Sequence, residues 1–139
     1  MFQAEQYPYG TTDPARGSAI LLPYLPITLT LRQQSTSVMG LLDSAATVNV
    51  LPYDIGQQLG AVWEQQTTAV QLTGNLANAE ARGLLVPATV GKFPPVHLVF
   101  AWTKSNAVPV LLGEVNFFME FDVCFFRSRS LFEVKPKQP

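Results

Sequence analysis

The sequence has one cysteine and one histidine, and few of its residues are charged. Charged residues make up 14% of the 139 residues, against about 25% in a typical soluble protein. A single cysteine excludes an internal disulfide, and Cys124 with His97 supplies too few ligands for a zinc site of the usual kind. A nucleophilic pair of Cys124 and His97 is the alternative, but both residues lie in strand-like sequence. We therefore expect Cys124 to be buried as a small apolar residue and His97 to lie on the solvated face of a strand.

The charge balance and the hydrophobic pattern exclude further classes of function. The net charge is −1, so no basic surface for nucleic acid is expected. No stretch reaches the roughly 20 apolar residues that cross a bilayer, and residues 1–17 lack the charged start and apolar centre of a signal peptide. We therefore expect a cytoplasmic protein without membrane contact. The shortage of charge also predicts that a partner covers some apolar surface.

The length of the chain suits one domain. Residues 1–18 combine Gly, Thr, Pro, Asp and Ser without periodicity, which predicts a loose N-terminal arm. Residues 19–139 are interpreted as a single domain.

Most of this domain has the patterns of β-strands. Apolar and polar residues alternate over residues 27–32, and residues 38–42 are apolar in succession, as in a strand buried on both faces. The predicted strands cover residues 27–32, 38–42, 48–51, 67–72, 79–90, 95–102, 108–112, 123–126 and 131–134, with breaks at Gly83 and Pro87. Short helices are predicted at residues 52–60 and 113–121. This pattern indicates an all-β domain, either a small barrel or a sandwich.

Asp43 is the first candidate for chemistry. It ends the apolar run of residues 38–42, precedes the small residues 44–46, and a second apolar run follows at residues 48–51. An ionised carboxylate between two buried strands is costly unless it has partners. Such a position is typical of functional sites.

Two segments resemble the landmarks of retropepsin-like aspartic proteases. Residues 41–46, Leu-Leu-Asp-Ser-Ala-Ala, followed by Val-Leu-Pro at residues 50–52, resemble the family's active-site segment. Residues 110–118, Val-Leu-Leu-Gly-Glu-Val-Asn-Phe-Phe, resemble the second landmark, in which an apolar strand ends in Gly and enters a short helix. Between them, residues 73–78 resemble the flap. The resemblance covers roughly residues 26–134.

This resemblance implies a closed barrel of six or seven strands with one or two short helices. It also implies an aspartic endopeptidase that needs no cofactor or metal and acts as a homodimer on extended peptide or protein substrates. The other aspartates stand outside the motif, at Asp13, Asp54 and Asp122. A complete site would therefore need Asp43 from each of two subunits.

The physical basis of such a pair is electrostatic. Two carboxylates about 3 Å apart repel by roughly 5 kcal/mol at an effective dielectric near 20. As in aspartic proteases generally, the pair then shares one proton near neutral pH, so one carboxyl serves as the base and the other as the acid.

The resemblance implies roles for the residues around Asp43. Ser44 would bond across the dimer axis, or else be a turn serine that faces solvent. The flap tip could equally be an ordinary hairpin turn, and Gly113 a simple turn glycine. The implied supporting residues are Ser44, Ala45 and Ala46 beside Asp43, Gly74, Asn75 and Leu76 at the flap tip, and Leu112 and Gly113 in the second landmark.

The sequence departs from the family's pattern at several positions. Ala45 stands where the family has Gly, which would cost about 1–2 kcal/mol if the turn required positive φ. Thr47 and Glu114 stand where viral members have an Asp and Arg pair. These departures keep a second hypothesis open, namely a catalytically silent member of the fold that binds peptides or mediates dimerisation. A third is an unrelated small barrel in which Asp43 bonds to nearby backbone N–H groups.

Overall fold

The computed structural model describes residues 2–11 and 20–139. Within them the chain forms nine strands and two short α-helices. The strands are β1 (Glu5–Pro8), β2 (Tyr24–Leu31), β3 (Gln34–Leu42), β4 (Asn49–Leu51), β5 (Ala81–Thr89), β6 (Val96–Thr103), β7 (Val110–Leu112), β8 (Phe121–Phe126) and β9 (Leu131–Pro136), and the helices are α1 (Tyr53–Gln58) and α2 (Phe117–Glu120). Single 3-10 turns lie at Trp63–Gln65, Gly74–Leu76 and Arg127–Arg129.

Six of the strands close into a barrel in the order β2-β3-β7-β4-β6-β5. Strands β3 and β7 are parallel, as are β4 and β6, and the hairpins β2-β3 and β5-β6 are antiparallel. The expected small closed β-barrel with two short helices is therefore confirmed, and the sandwich alternative is wrong.

The alternation along β2 explains how its sequence forms the wall of a closed core. Leu25, Ile27 and Leu29 are at most 2% exposed, whereas Thr28 and Thr30 are partly exposed. Successive side chains of a strand point to opposite faces, so every second residue enters the barrel. On the outer face, Thr28 and Thr30 hydrogen-bond to serine hydroxyls of β3.

Helix α1 follows the prediction for residues 52–60. Pro52 precedes its first residue, where a missing N–H costs nothing, and Leu59 is buried. The chain leaves the helix at Gly60, whose φ of +82° suits glycine. The helix carries Gly56 against the indole of Trp102, where a Cβ would collide with the ring.

Three other elements differ from the predictions. Residues 67–72 form no strand beyond an isolated bridge between Ala69 and Arg82, because the Gln71 amide bonds the carbonyl oxygens of Leu72 and Ala77 and closes an irregular loop. Strand β5 runs without a break through Gly83 and Pro87. The second helix is shorter than predicted, since the N–H groups of residues 114 and 115 bond back to the loop after Asp43.

The prediction of a loose arm over residues 1–18 is corrected for residues 5–8. Strand β1 pairs with β9, which pairs with β8 in a separate three-stranded sheet. The strand is fixed by ring stacking of Tyr7 on Phe132 and by a hydrogen bond from the Lys92 N–H to the Glu5 carboxylate. Residues 1 and 12–18 of the predicted arm lie outside the described residues, and the division of the chain at residue 19 stays a prediction.

The prediction that Cys124 is buried is wrong, because its side chain is exposed. Strand β8 turns Phe121 toward the core, so the two-residue period turns Asp122 and Cys124 outward. His97 is exposed, as predicted. Large exposed apolar side chains occur elsewhere, including Met119 at 61% exposure, as the low charge content of the sequence suggested.

Residues 2–11 and 20–139 contain neither a membrane-spanning helix nor a metal-binding cluster. No helix there is both long and apolar enough to cross a membrane. No cluster of His, Cys, Asp and Glu side chains there could hold a metal ion.

Candidate active site

Asp43 directly follows β3, and hydrogen bonds fix both its backbone and its carboxylate. Its N–H donates to the carbonyl oxygen of Leu112 at 3.0 Å, and its carbonyl oxygen accepts the Ala46 N–H at 3.0 Å. Its Oδ1 accepts the Ala45 N–H at 3.0 Å. This last contact is a local Asx bond, of the kind expected if Asp43 were only a turn residue. The carboxylate is nevertheless partly exposed, and Asp43 lines a cleft.

The cleft has a volume of about 590 Å³ and joins segments that are distant in the sequence. One wall is the loop that follows Asp43, another is the 3-10 turn at Gly74–Leu76, and a third is residues 107–109 with Leu111. Its lining residues are Asp43, Ala45, Ala46, Thr47, Val48, Val50, Leu72, Thr73, Gly74, Asn75, Leu76, Ala107, Val108, Pro109 and Leu111. Asp43 is the one charged side chain among them.

The predicted site residues divide into two groups. Asp43, Ala45, Ala46 and the three residues of the predicted flap tip lie together on the cleft wall. Ser44 is exposed beside Asp43, and Leu112 and Gly113 are buried behind the loop. The flap tip is a 3-10 turn reached through an irregular loop rather than the tip of a regular hairpin.

Ala45, which the sequence resemblance aligns with a glycine, does not have a left-handed backbone. Among the described residues other than glycine, only Arg32 and Ser130 have positive φ. The cost considered for alanine in this turn therefore does not arise. The methyl group of Ala45 contributes to the cleft wall instead.

Gly113 supports the Asp43 loop by a close backbone approach. A Cβ at Gly113 would lie 2.6 Å from the Val48 carbonyl oxygen and 2.7 Å from that of Ala46. The residue after it, Glu114, donates its N–H to the same Ala46 oxygen at 2.9 Å. Only glycine lets the two segments approach this closely.

Sequence reasoning missed Asn49 and Asn116. Asn49 is fully buried and its side chain bonds three groups, one of them the Asn116 side chain. The available signal was a polar residue inside the apolar run of residues 48–51, because buried polar groups require partners. The contribution of residues 107–109 to the cleft had no comparable signal in the sequence.

Comparison with known proteins identifies the fold. No family model matches the sequence, and no curated protein matches it significantly. Among solved structures, the chain is similar to the crystal structure of a retropepsin-like aspartic protease from Rickettsia conorii, with a TM-score of 0.61 and 13% sequence identity. The match covers 96% of this chain and 94% of that chain. The barrel therefore has the retropepsin-like fold, and a protease is among its structural neighbours.

Proposed function

We propose that this chain is an aspartic endopeptidase that acts as a homodimer. The observation that carries the proposal is that Asp43, at the end of a barrel strand, contributes the one charged side chain of an otherwise uncharged cleft. The retropepsin-like fold and the protease among its structural neighbours support the same class of activity.

The need for two subunits follows from the acids that one chain supplies. Of its four aspartates, Asp54 lies in α1 and Asp122 in β8, and neither lines the cleft. Asp13 lies outside the described residues. Hydrolysis in which one carboxyl is the acid and another is the base needs a second carboxyl within a few ångströms of Asp43. A symmetric dimer supplies it as Asp43 of the partner.

In the proposed reaction, a water molecule lies between the two carboxyl groups. The ionised carboxylate takes a proton from the water, and the water oxygen attacks the carbonyl carbon of the peptide bond. The protonated carboxyl gives its proton to the carbonyl oxygen. The tetrahedral intermediate then collapses and the C–N bond breaks, as the protonated carboxyl gives its proton to the leaving nitrogen and the other carboxylate takes a proton from a hydroxyl of the intermediate. The products are a carboxylic acid and an amine, and the pair of carboxyls again shares one proton.

The cleft chemistry favours extended, mostly apolar peptides. Much of the lining consists of aliphatic side chains, which would bury apolar side chains of the substrate. The valines and leucines of the lining are Val48, Val50, Leu72, Leu76, Val108 and Leu111. Nucleic acid and membrane are not proposed as partners, and a cytoplasmic location stays a prediction.

The neighbours of Asp43 receive proposed roles. Exposed Ser44 would bond across the dimer axis to the partner, and Ala45 and Ala46 would line the substrate backbone. The turn of Gly74, Asn75 and Leu76 would cover the bound peptide. Leu112 and Gly113 would support the Asp43 loop from behind.

A silent peptide-binding or dimerisation module is the second candidate. Its support is the Ala45 methyl group on the cleft wall, where the family has glycine, and the replacement of the viral Asp and Arg pair by Thr47 and Glu114. In this case the cleft would bind peptides without turnover.

The test combines solution mass with peptide cleavage between pH 4 and 7. Light scattering should report a dimer. Asp43→Asn should lower kcat by at least about a thousandfold, or about 4 kcal/mol of barrier, whereas the control Asp54→Asn, the same change in α1, should leave it unchanged.

Mixing subunits tests the shared site directly. When wild type and Asp43→Asn exchange subunits in equal amounts, random pairing leaves about one quarter of the dimers with two Asp43 residues. At equal total protein, the activity of the mixture should therefore be about one quarter of the activity of wild type alone. An activity of one half would indicate that each subunit acts independently. Peptide binding without turnover by wild type would favour the silent module.

A further inference from the structure

Asn49 has a fully buried side-chain amide, and its three hydrogen bonds all go to other segments. Its Oδ1 accepts the Gly113 N–H at 2.8 Å. Its Nδ2 donates to the Val99 carbonyl oxygen at 3.0 Å and to Asn116 Oδ1 at 3.1 Å. One side chain thus joins β4 to β6 and to the turn at Gly113.

Asn116 extends this connection into β6. Its Oδ1 accepts the Val99 N–H at 3.0 Å, and its Nδ2 donates to the His97 carbonyl oxygen at 2.9 Å. A backbone N–H can only donate and a carbonyl oxygen can only accept, so these partners fix the orientation of both amides. A leucine of similar size could satisfy none of the backbone groups that Asn49 bonds.

The Gly113 turn is also where the Asp43 loop is attached. The residue before it, Leu112, accepts the Asp43 N–H at 3.0 Å, and the residue after it, Glu114, donates to the Ala46 carbonyl oxygen at 2.9 Å. Contacts on both sides of Gly113 therefore hold the loop that carries Asp43. The N–H of Gly113 itself is held by Asn49.

We propose that Asn49 is a positioning residue that fixes the Asp43 loop through Gly113, with Asn116 tying the pair to β6. The proposal rests on the proposed function only for its consequence in catalysis. The buried amide of Asn49 and the partly exposed amide of Asn116 form bonds in defined directions, which apolar packing does not supply. The expected consequence is a carboxylate held in one position before substrate binds.

The test compares Asn49→Leu with Thr103→Val. Asn49→Leu keeps the size of the side chain and removes its hydrogen bonds. Thr103 is also fully buried in the barrel, and its hydroxyl accepts the Ser105 N–H, so Thr103→Val removes a partly buried bond away from the Asp43 loop. Asn49→Thr retains a hydroxyl that can accept a hydrogen bond from the Gly113 N–H. It should therefore lose less function than Asn49→Leu.

Amide hydrogen exchange reports on the loop without requiring turnover. In Asn49→Leu, exchange at Asp43, Ala46, Gly113 and Glu114 should accelerate by at least about tenfold more than exchange elsewhere in the barrel, because the loop opens locally. Thr103→Val should show no such local acceleration. Uniform acceleration in Asn49→Leu, or none, would overturn the proposal.

Kinetics then measure the effect on the reaction. We expect kcat of Asn49→Leu to fall by about 10- to 100-fold while KM changes little, because a displaced loop costs rate more than binding. An unchanged kcat would overturn the catalytic part. If Asn49→Leu does not fold, Asn116→Leu provides the same comparison at the partly exposed end of the pair. If wild type shows no turnover, the endopeptidase proposal fails, while the exchange result still decides the role of Asn49.

Discussion

The barrel is held by different interactions on two of its sides. On the side that we call the aromatic flank, Tyr53, Trp63 and Trp102 pack together, with Trp102 stacked on Tyr53 at 5.5 Å and edge-on to Trp63 at 5.3 Å. On the side of the cleft, backbone hydrogen bonds hold the loop after Asp43 against the turn at Gly113, and the Gly113 N–H donates to the Asn49 amide oxygen. The first side depends on buried area and the second on bond direction.

This difference matters because the two sides tolerate change differently. Apolar packing provides free energy in proportion to the area buried, and neighbouring side chains can partly adjust to a substitution. A hydrogen bond fails once its angle or length departs from a narrow range. A site that must hold a carboxylate in one place therefore benefits from directed bonds, whereas overall stability benefits from aromatic bulk.

The largest expected effect on stability is at the aromatic flank. Trp102 is fully buried, and its Nε1 donates to the Tyr53 carbonyl oxygen at 3.1 Å. Trp102→Ala should lower the free energy of unfolding by about 3–5 kcal/mol, through lost contacts and a cavity. Urea denaturation measures this change. Activity per folded molecule should change little, because Trp102 does not line the cleft.

The matched control is Trp102→Phe, which keeps an aromatic ring and removes the N–H donor. It should cost less than Trp102→Ala, including about 1 kcal/mol for the lost hydrogen bond. A larger loss of kcat in Trp102→Ala than in Asn49→Leu would contradict the division between the two sides.

A smaller effect on stability, with a larger effect on function, is expected at Gly113. Gly113→Ala brings a Cβ against the carbonyl oxygens of Val48 and Ala46, and backbone atoms cannot rotate away as a side chain could. The loop must shift, at a cost of about 1–3 kcal/mol in stability. A displacement of about 1 Å should reduce kcat by about a hundredfold. Denaturation and steady-state kinetics measure the two effects.

Gly83→Ala is the control for this substitution. Gly83 lies in β5, and a Cβ there would meet Thr68 at an ordinary distance of 3.8 Å. Alanine suits a strand at least as well as glycine, so stability and kcat should stay near the wild-type values. Equal kinetics for the two alanine variants would show that the close approach at Gly113 is dispensable.

The sequence predicted elements with local patterns and missed those set by distant partners. The alternation of Ile27 and Leu29, and the Pro52 and Gly60 boundaries of α1, depend on near neighbours and were visible in the sequence. The irregular loop over residues 67–72 was not visible in the sequence, because hydrogen bonds of the Gln71 side chain, rather than hydrophobic alternation, determine its path. The docking of residues 5–8 depends on β9, more than 120 residues away.

The candidate site shows the same limit. Asp43 could be selected because one charge interrupts an apolar sequence. Asn49 gains its importance from Gly113, 64 residues away, and from Val99, 50 residues away. The side chains of Gly113 and Val99 give no sign of a polar contact in the sequence, because both residues bond Asn49 through backbone groups. The shape of the cleft likewise depends on how three distant segments meet in the folded chain.

The smallest expected effect separates the two kinds of interaction within strand β1. Tyr7 stacks on Phe132 with ring centroids 5.6 Å apart, and its hydroxyl donates to Glu5 Oε1 at 2.6 Å. Burial, followed by the hydrogen bond and the charge of Glu5, raises the pKa of Tyr7 well above its usual value of about 10. Tyr7→Phe keeps the stacking and removes only the directed bond.

The raised pKa of Tyr7 fixes the direction of the pH effect. Below about pH 10 the phenol is neutral in both states, so its contribution to stability is fully present. Above that pH the unfolded chain loses the phenol proton while the folded chain keeps it, so the free energy of unfolding falls as pH rises. Between pH 9 and 11, wild type should lose about 0.5–1 kcal/mol more than Tyr7→Phe, an amount reduced by the partial exposure of the ring. Glu5→Gln should show an intermediate pH dependence, because burial, the larger cause, remains. Parallel pH profiles of all three proteins in urea denaturation would contradict the expected contribution of the Tyr7 phenol to the pH dependence of stability.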